Sequence, residues 1–101
     1  MKYSVVLHPE AVKEYLALDG SIQKLVKKQL GKISETPQLG EVLGNKYGMD
    51  LSGYRKMYVD HKRIRIVYRI VEDKIIIEVI AIGERNDFDV YKNAAHRLSK
   101  E

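Results

Sequence analysis

The chain has 101 residues, of which 45% are hydrophobic, and it carries a formal net charge of +4 at pH 7. This length predicts a single domain, residues 1–101, with one modest core. Because the chain has no cysteine, disulfides, thiol nucleophiles and thiolate-bound zinc are excluded.

The histidines and the apolar runs exclude two further classes of protein. His8, His61 and His96 lack the spacing of a metal site, and no apolar run is long enough to cross a bilayer. We therefore expect a soluble cytoplasmic protein with no metal, no cofactor and no membrane partner.

The N-terminal part of the sequence predicts a strand followed by two helices. Residues 3–7 form a short β-rich run. Pro9 suits the first turn of a helix, because its missing N–H would be unpaired there. Ser21 is a good N-cap for the second helix, whose apolar stripe continues to Ile33 before Thr36-Pro37 stops it.

The remaining part predicts a sheet meander and a last helix. Residues 38–53 contain four glycines and little periodicity, which indicates a loop with at most a brief strand near Val42. From Tyr54 the period is two, with turns at residues 60–62 and 72–73. Residues 74–82 are apolar on both faces, as in a central strand, and residues 87–99 form a helix. The order β-α-α-β-β-β-α predicts an α+β fold: a mostly antiparallel sheet with two N-terminal helices packed on it and a short C-terminal helix.

The positive charge is concentrated in residues 51–69, which read LSGYRKMYVDHKRIRIVYR. Six basic residues and one acidic residue give this segment +5, so the rest of the chain sums to −1. A local basic patch that carries tyrosines favours a polyanionic partner such as a nucleic acid.

Alternation places the basic side chains on one face of the predicted hairpin. Lys56 and Tyr58 share that face and should lie roughly opposite Arg65 and Arg63, respectively. A core would not accept several unpaired cations, so this face must be wet or meet an anion. An ordinary solvated sheet face remains the alternative at this point.

Two motifs together resemble a known family. Residues 51–70, followed by IGERNDFDVY at residues 82–91, resemble the RelE/ParE superfamily of toxins from type II toxin–antitoxin systems, on its RelE side. The shared pattern is an LSG segment, a basic hairpin ending in R-(apolar)-V/I-Y, an apolar strand, a G-x-R segment and a downstream VY. The order of the elements and the length also fit, so the resemblance covers nearly the whole chain.

The resemblance implies a RelE-like fold and the activity of an mRNA interferase. Such a protein is a ribosome-dependent, metal-independent endoribonuclease. It cuts mRNA in the A site by attack of a ribose 2′-OH on the adjacent phosphate.

The resemblance also implies roles for single residues. Lys56 matches a catalytic lysine, Arg65 the arginine that holds the phosphate, Arg85 the arginine that stabilises the transition state, and Tyr91 the tyrosine that stacks on or orients the nucleotide. Further RNA contacts are expected from Arg55, Lys62 and Arg63.

One position departs from the family pattern, because Tyr58 stands where RelE toxins have a second lysine that serves as general base. Tyr58 itself, a deprotonated Lys56 or His61 could take that role. From the residues alone, Tyr91 is equally compatible with a core position, and Arg85 with a local salt bridge.

Partners and alternative functions follow from the same resemblance. A RelB-like antitoxin, the ribosome and mRNA are the expected partners, with operator DNA bound only through the antitoxin. A ParE-like inhibitor of DNA gyrase on the same fold, or an inactive antitoxin-binding relative, remain alternatives.

Overall fold

The computed structural model describes residues 2–46 and 49–84. Within them the chain forms, in order, β1 (Ser4–Leu7), α1 (Pro9–Leu16), α2 (Gly20–Glu35), β2 (Glu41–Lys46), β3 (Met49–Val59), β4 (Ile64–Val71) and β5 (Ile76–Glu84). Short 3-10 turns at Pro37–Leu39 and Glu72–Lys74 precede β2 and β5. The helix predicted at residues 87–99 lies outside the described residues.

The five strands form one mixed sheet in the order β1-β5-β4-β3-β2. β1 runs parallel to β5, and the other neighbouring strands are antiparallel. β5 lies between β1 and β4, and its residues Val79–Ile82 are buried in succession, so both of its faces are covered. This confirms the predicted α+β class and the central strand.

The core lies between the two helices and one face of the sheet. The helices contribute Ala11, Val26, Leu30 and Ile33, and the facing strand residues include Val59, Ile64, Ile66, Tyr68, Ile77 and Val79. Full burial of each large aliphatic side chain contributes about 1.5–3 kcal/mol. Because successive strand side chains alternate between faces, the neighbours of these residues on β3 and β4 are turned away from the helices.

The helix starts follow local chemistry. Pro9 occupies the first turn of α1, and the His8 side chain accepts a hydrogen bond from the Glu10 backbone N–H at 3.1 Å. The predicted N-cap of α2 was wrong, because that helix already begins at Gly20, with Asp19 as N-cap. The Ser21 hydroxyl instead donates to the Asp19 carboxylate at 2.7 Å.

The prediction of a loop over residues 38–53 was also wrong. Most of this segment belongs to β2 and to the first half of β3, which pair with each other. Two of its glycines have positional roles within the sheet. Gly44 has φ +63° where the β2–β3 register is irregular, and Gly40 lies against the Tyr68 ring and the Lys56 backbone. Glycine therefore marks a bulge and a close approach here.

The hairpin turn is one residue longer than predicted. It comprises Asp60 to Arg63, closed by a hydrogen bond of 3.0 Å from the Arg63 N–H to the Asp60 carbonyl. As a result Tyr58 lies opposite Arg65 and Lys56 opposite Val67. The predicted pairing of Lys56 with Arg65 and of Tyr58 with Arg63 was therefore wrong by two residues.

Candidate functional site

Lys56, Tyr58 and Arg65 form one cluster, the basic cluster, on the sheet face turned away from the helices. Tyr58 on β3 and Arg65 on β4 are direct cross-strand partners, and Lys56 precedes Tyr58 by two residues on the same face. The Lys56 ammonium donates a hydrogen bond to the Tyr58 hydroxyl at 3.0 Å. The Arg65 guanidinium carbon lies 5.5 Å from the centroid of the Tyr58 ring, so the tyrosine is placed between two cations.

The two cationic side chains of the cluster are largely buried rather than freely solvated. Arg65 is only 6% exposed, and the Lys56 side chain is 12% exposed. An ordinary solvated sheet face was therefore the wrong alternative for these residues. Because electrostatic interactions strengthen as water is removed, the two cations act on a nearby anion more strongly than surface side chains would.

Glu41 on β2 contacts the same lysine. It is the cross-strand partner of Lys56, and its carboxylate lies 3.5 Å from the Lys56 ammonium. The Glu41 side chain is 75% exposed, so this ion pair adds little to stability. The sequence does not reveal this contact, because the glycines around β2 indicate a loop.

The surroundings of Tyr58 favour its deprotonated form. The hydrogen bond from Lys56 lowers the pKa of Tyr58 below its ordinary value of 10.0. Burial raises this pKa in part, and the hydrogen bond and charge of Arg65 lower it further. A tyrosine with a lowered pKa can accept a proton as phenolate more readily than an isolated one.

Arg55 lies on the opposite face of β3 and has a structural role. Its guanidinium donates to the Gly40 carbonyl at 2.8 Å and to the Gln38 carbonyl at 3.4 Å. Arg55 therefore holds the turn before β2, and the structure does not bring it to the basic cluster.

The turn residues also lie apart from the basic cluster. His61, Lys62 and Arg63 are exposed in the hairpin turn, and Arg63 pairs with Asp60 at 3.6 Å. Among the predicted bases, the structure thus places Tyr58 with Lys56 and Arg65, and His61 elsewhere.

Arg85 and Tyr91 lie outside the described residues, so their roles stay predictions. The described end of β5 nevertheless reaches the cluster, because Gly83 is the cross-strand partner of Arg65.

Tyr68 is a positioning residue that its sequence context did not reveal. Its fully buried hydroxyl donates to the Pro37 carbonyl at 2.7 Å and accepts from the Gly40 N–H at 2.9 Å. Burial raises the pKa of Tyr68, and the Gly40 hydrogen bond and the Arg55 charge offset part of that rise. These bonds hold Pro37 and Gly40 in place, and Gly40 lies against the backbone carbonyl of Lys56.

The described residues offer neither a metal-binding cluster nor a membrane-spanning helix. Residues 2–46 and 49–84 contain no group of three or more histidines and acidic residues that could hold a metal ion. Over the same residues, no helix is long and apolar enough to cross a membrane.

Comparisons with known proteins agree with this architecture. The family model described as ParE toxin of type II toxin–antitoxin system, parDE, matches residues 5–87. A putative RelE-like toxin protein of Escherichia coli is 32% identical over 101 residues, covering 97% of this chain and 99% of that protein. The mRNA interferase toxin RelE of Escherichia coli (strain K12) is 26% identical over 98 residues, with the same coverage.

Solved structures show the same fold. A variant of the Escherichia coli toxin RelE with two arginines changed to alanine, in the free state, has a TM-score of 0.79 and 25% identity, covering 97% of this chain and 99% of that one. The same variant in complex with a peptide of the antitoxin RelB has a TM-score of 0.71 and 24% identity, covering 93% and 95%. Fold and basic cluster thus define a small α+β toxin of the toxin–antitoxin type. The chain belongs to the RelE/ParE superfamily of type II toxin–antitoxin toxins, as its sequence motifs predicted, and it is RelE-like.

Proposed function

We propose that this protein is a ribosome-dependent, metal-independent endoribonuclease that cuts mRNA in the ribosomal A site. The observation that carries the proposal is the position of Tyr58 between Lys56 and Arg65 on one sheet face. The full-length likeness to proteins named mRNA interferase supports it.

In the proposed reaction, Tyr58 as phenolate takes the proton of a ribose 2′-OH. The 2′-oxygen bonds to the adjacent phosphorus, and the bond from phosphorus to the 5′-oxygen breaks. The products are a 2′,3′-cyclic phosphate and a 5′-hydroxyl, whose oxygen takes up a proton from water. The hydroxide left by that water takes the proton from Tyr58 and restores the phenolate, so the proton balance closes.

Lys56 and Arg65 stabilise the negative charge that grows on the phosphorane. Fixed cations in a partly dehydrated site act strongly on such charge and need no reorganisation during the reaction. Arg65 also suits the phosphate geometrically, because its planar guanidinium can donate two parallel hydrogen bonds. This division of roles requires no metal ion.

Arg85 and Tyr91 complete the proposed site by resemblance. Arg85 would add positive charge at the transition state, and Tyr91 would stack on or orient the nucleotide. Gly83, two residues before Arg85, already lies opposite Arg65.

The proposal includes partners and a location. A RelB-like antitoxin would bind this toxin, as the RelB peptide binds the related RelE variant, and operator DNA would be bound only through that antitoxin. A target on translating ribosomes places the protein in the cytoplasm.

Primer extension on a translated mRNA after brief induction tests the proposal. The wild type should produce discrete cuts in the coding region. Tyr58→Phe should lower the cleavage rate by about 10²–10⁴-fold, because it removes the proton acceptor and keeps the ring. Arg85→Ala should likewise abolish the cuts.

Tyr54→Phe is the matched control for Tyr58→Phe. Tyr54 lies on the same face of the same strand as Tyr58, and its substitution removes the same hydroxyl. Cleavage of mRNA by the Tyr54→Phe variant should therefore stay at the wild-type level. Equal cleavage by wild type and Tyr58→Phe would remove Tyr58 from the mechanism.

Inhibition of DNA gyrase is the second candidate function. The match of the ParE toxin family model favours it, and this activity needs no nuclease site. Growth arrest with intact mRNA and inhibited DNA supercoiling would support gyrase inhibition. Absence of any arrest would indicate an inactive antitoxin-binding relative.

A further inference from the structure

A second basic feature, the turn cleft, lies between α2 and the β3–β4 turn. It encloses about 430 Å³. Its polar lining comes from Lys28, Gln29 and Lys32 on the helix and from Asp60, His61 and Lys62 in the turn. Tyr58, where β3 enters the turn, also lines it, whereas Lys56 and Arg65 do not.

The lysines of the turn cleft are available to a ligand. Lys28, Lys32 and Lys62 are exposed, and within the described part of the chain none of them has a carboxylate within ion-pair distance. The one acidic side chain of the lining, Asp60, is paired with Arg63 at 3.6 Å. The cleft therefore carries a net positive charge with room for an anion.

The helix positions of these lysines are unfavourable without an anion. Lys28 and Lys32 are four residues apart on α2, so their charges lie on one face and repel each other. Lys24 extends the same row by one more turn. A bound polyanion would remove this repulsion.

The turn has a conformation that L-residues rarely adopt. Asp60, His61 and Lys62 have φ values of 54°, 53° and 69°, three consecutive left-handed residues without a glycine. Such backbone strain is concentrated at functional sites. In this conformation His61 and Lys62 form the wall of the cleft opposite α2.

We propose that the turn cleft binds RNA phosphates and is a second RNA contact, at the turn end of the hairpin and distinct from the cleavage site. The inference rests on the proposed function, which makes RNA the ligand. The shared chemistry is the phosphodiester backbone, supplied either by the mRNA strand that enters the site or by ribosomal RNA.

Salt-dependent binding tests the proposal without any need for cleavage. The probe is a short single-stranded RNA with 2′-O-methyl groups throughout, which lacks the attacking hydroxyl, added to the full-length protein. Each lysine that contacts a phosphate contributes about 0.7 to the slope of log affinity against log salt. Lys28→Ala, Lys32→Ala and Lys62→Ala should each reduce the slope by that amount and weaken binding about fivefold at 0.1 M salt.

Lys27→Ala is the matched control. Lys27 is the exposed neighbour of Lys28 on α2 and lines a different groove. Its substitution by alanine removes the same charge as Lys28→Ala. Its slope and affinity should stay at the wild-type values. A loss as large in Lys27→Ala as in Lys28→Ala would overturn the proposal, because it would reflect net charge alone.

A second arm measures association with purified ribosomes programmed with 2′-O-methyl mRNA. Loss of affinity for the free oligonucleotide assigns the cleft to the mRNA strand, whereas loss for the ribosome alone assigns it to ribosomal RNA. Unchanged binding of the three variants in both arms would overturn the proposal. Binding that depends on the cleft, combined with intact natural mRNA after induction, would refute the proposed cleavage and leave this site standing.

Discussion

The Lys56 ammonium lies 3.0 Å from the Tyr58 hydroxyl and donates a hydrogen bond to it. The two residues are adjacent on one face of β3, so the strand itself sets their separation. Arg65 reaches the same ring from β4. This arrangement couples the ionisation of Tyr58 to two cations, and the pH dependence of cleavage should report it.

The first prediction concerns the pH at which the cleavage rate rises in the pH–rate profile, here called the rising limb. Only the phenolate accepts a proton, so the rate should rise with pH up to the pKa of Tyr58, which lies below 10.0. Lys56→Met removes the largest cause of that lowering, so the rising limb should move to higher pH. Single-turnover cleavage on programmed ribosomes at neutral to alkaline pH measures the shift.

Lys74→Met is the control for this experiment, because Lys74 is exposed in the 3-10 turn before β5 and undergoes the same chemical change. Its rising limb should coincide with that of the wild type. A limb that does not move in Lys56→Met would speak against Tyr58 as the base.

The second prediction concerns the buried hydroxyl of Tyr68. Tyr68→Phe leaves the Gly40 N–H and the Pro37 carbonyl without that partner, so the free energy of unfolding should fall by about 1–3 kcal/mol. Urea unfolding measures the change. Tyr54→Phe, which removes a hydroxyl from a half-buried side chain, should stay within about 0.5 kcal/mol of the wild type.

The third prediction follows from the raised pKa of the same residue. Folding favours the neutral form of Tyr68, so its contribution to stability is fully present below the unfolded pKa of 10.0 and is lost as pH rises through the folded pKa. Urea unfolding at increasing alkaline pH should therefore show a loss of stability in the wild type that is smaller in Tyr68→Phe. Identical alkaline profiles for the two proteins would contradict this assignment.

The fourth prediction concerns the close approach at Gly40. An added Cβ would lie 2.5 Å from the Tyr68 hydroxyl oxygen and 2.7 Å from the Lys56 carbonyl oxygen. Gly40→Ala should therefore lower the free energy of unfolding by about 1–3 kcal/mol and lower cleavage by displacing Lys56. Thermal melting and primer extension measure the two effects.

Gly31→Ala is the opposite case on α2, where an added Cβ meets no atom within 4 Å. It should stabilise the protein by about 0.5–1 kcal/mol. A similar loss of stability in both variants would show that contact distance does not control the effect.

The fifth prediction separates a structural arginine from the basic cluster. Arg69 and Glu78 are cross-strand partners joined by a hydrogen bond of 2.5 Å, with side chains 32% and 21% exposed. A double-mutant cycle with Arg69→Gln and Glu78→Gln should give a coupling free energy of about 0.2–1 kcal/mol. Cleavage by Arg69→Gln should stay within about twofold of the wild type, and a loss comparable to that of Tyr58→Phe would place Arg69 in the site.

Much of the fold could be predicted because its signals are local. Helical spacing of apolar residues and Pro9 indicated α1 and α2, and the doubly apolar run after residue 74 indicated the buried strand β5. The edge strand β2 could not be predicted, because Gly40 and Gly44 resemble loop residues until their contacts are known.

The candidate site was predictable in its residue types and less so in its geometry. The concentration of charge and the alternation of side chains predicted that Lys56, Tyr58 and Arg65 lie on one face of the hairpin. Their pairing depended on the length of the turn, which three left-handed residues and the Asp60–Arg63 hydrogen bond set. The predicted RNA contact of Arg55 was wrong in placing it with the cluster, because an arginine in a basic run gives no sign of which strand face it occupies.

The amino-acid sequence by itself thus determined the fold class, the superfamily and the basic character of the site, because composition, periodicity and motif order are properties of the chain. Only the tertiary structure decided that Tyr58 lies between Lys56 and Arg65, that Arg55 and Tyr68 hold a turn, and that α2 lysines meet the hairpin in a cleft. These relationships depend on strand register and on packing between segments distant in sequence, and no local pattern encodes either of them.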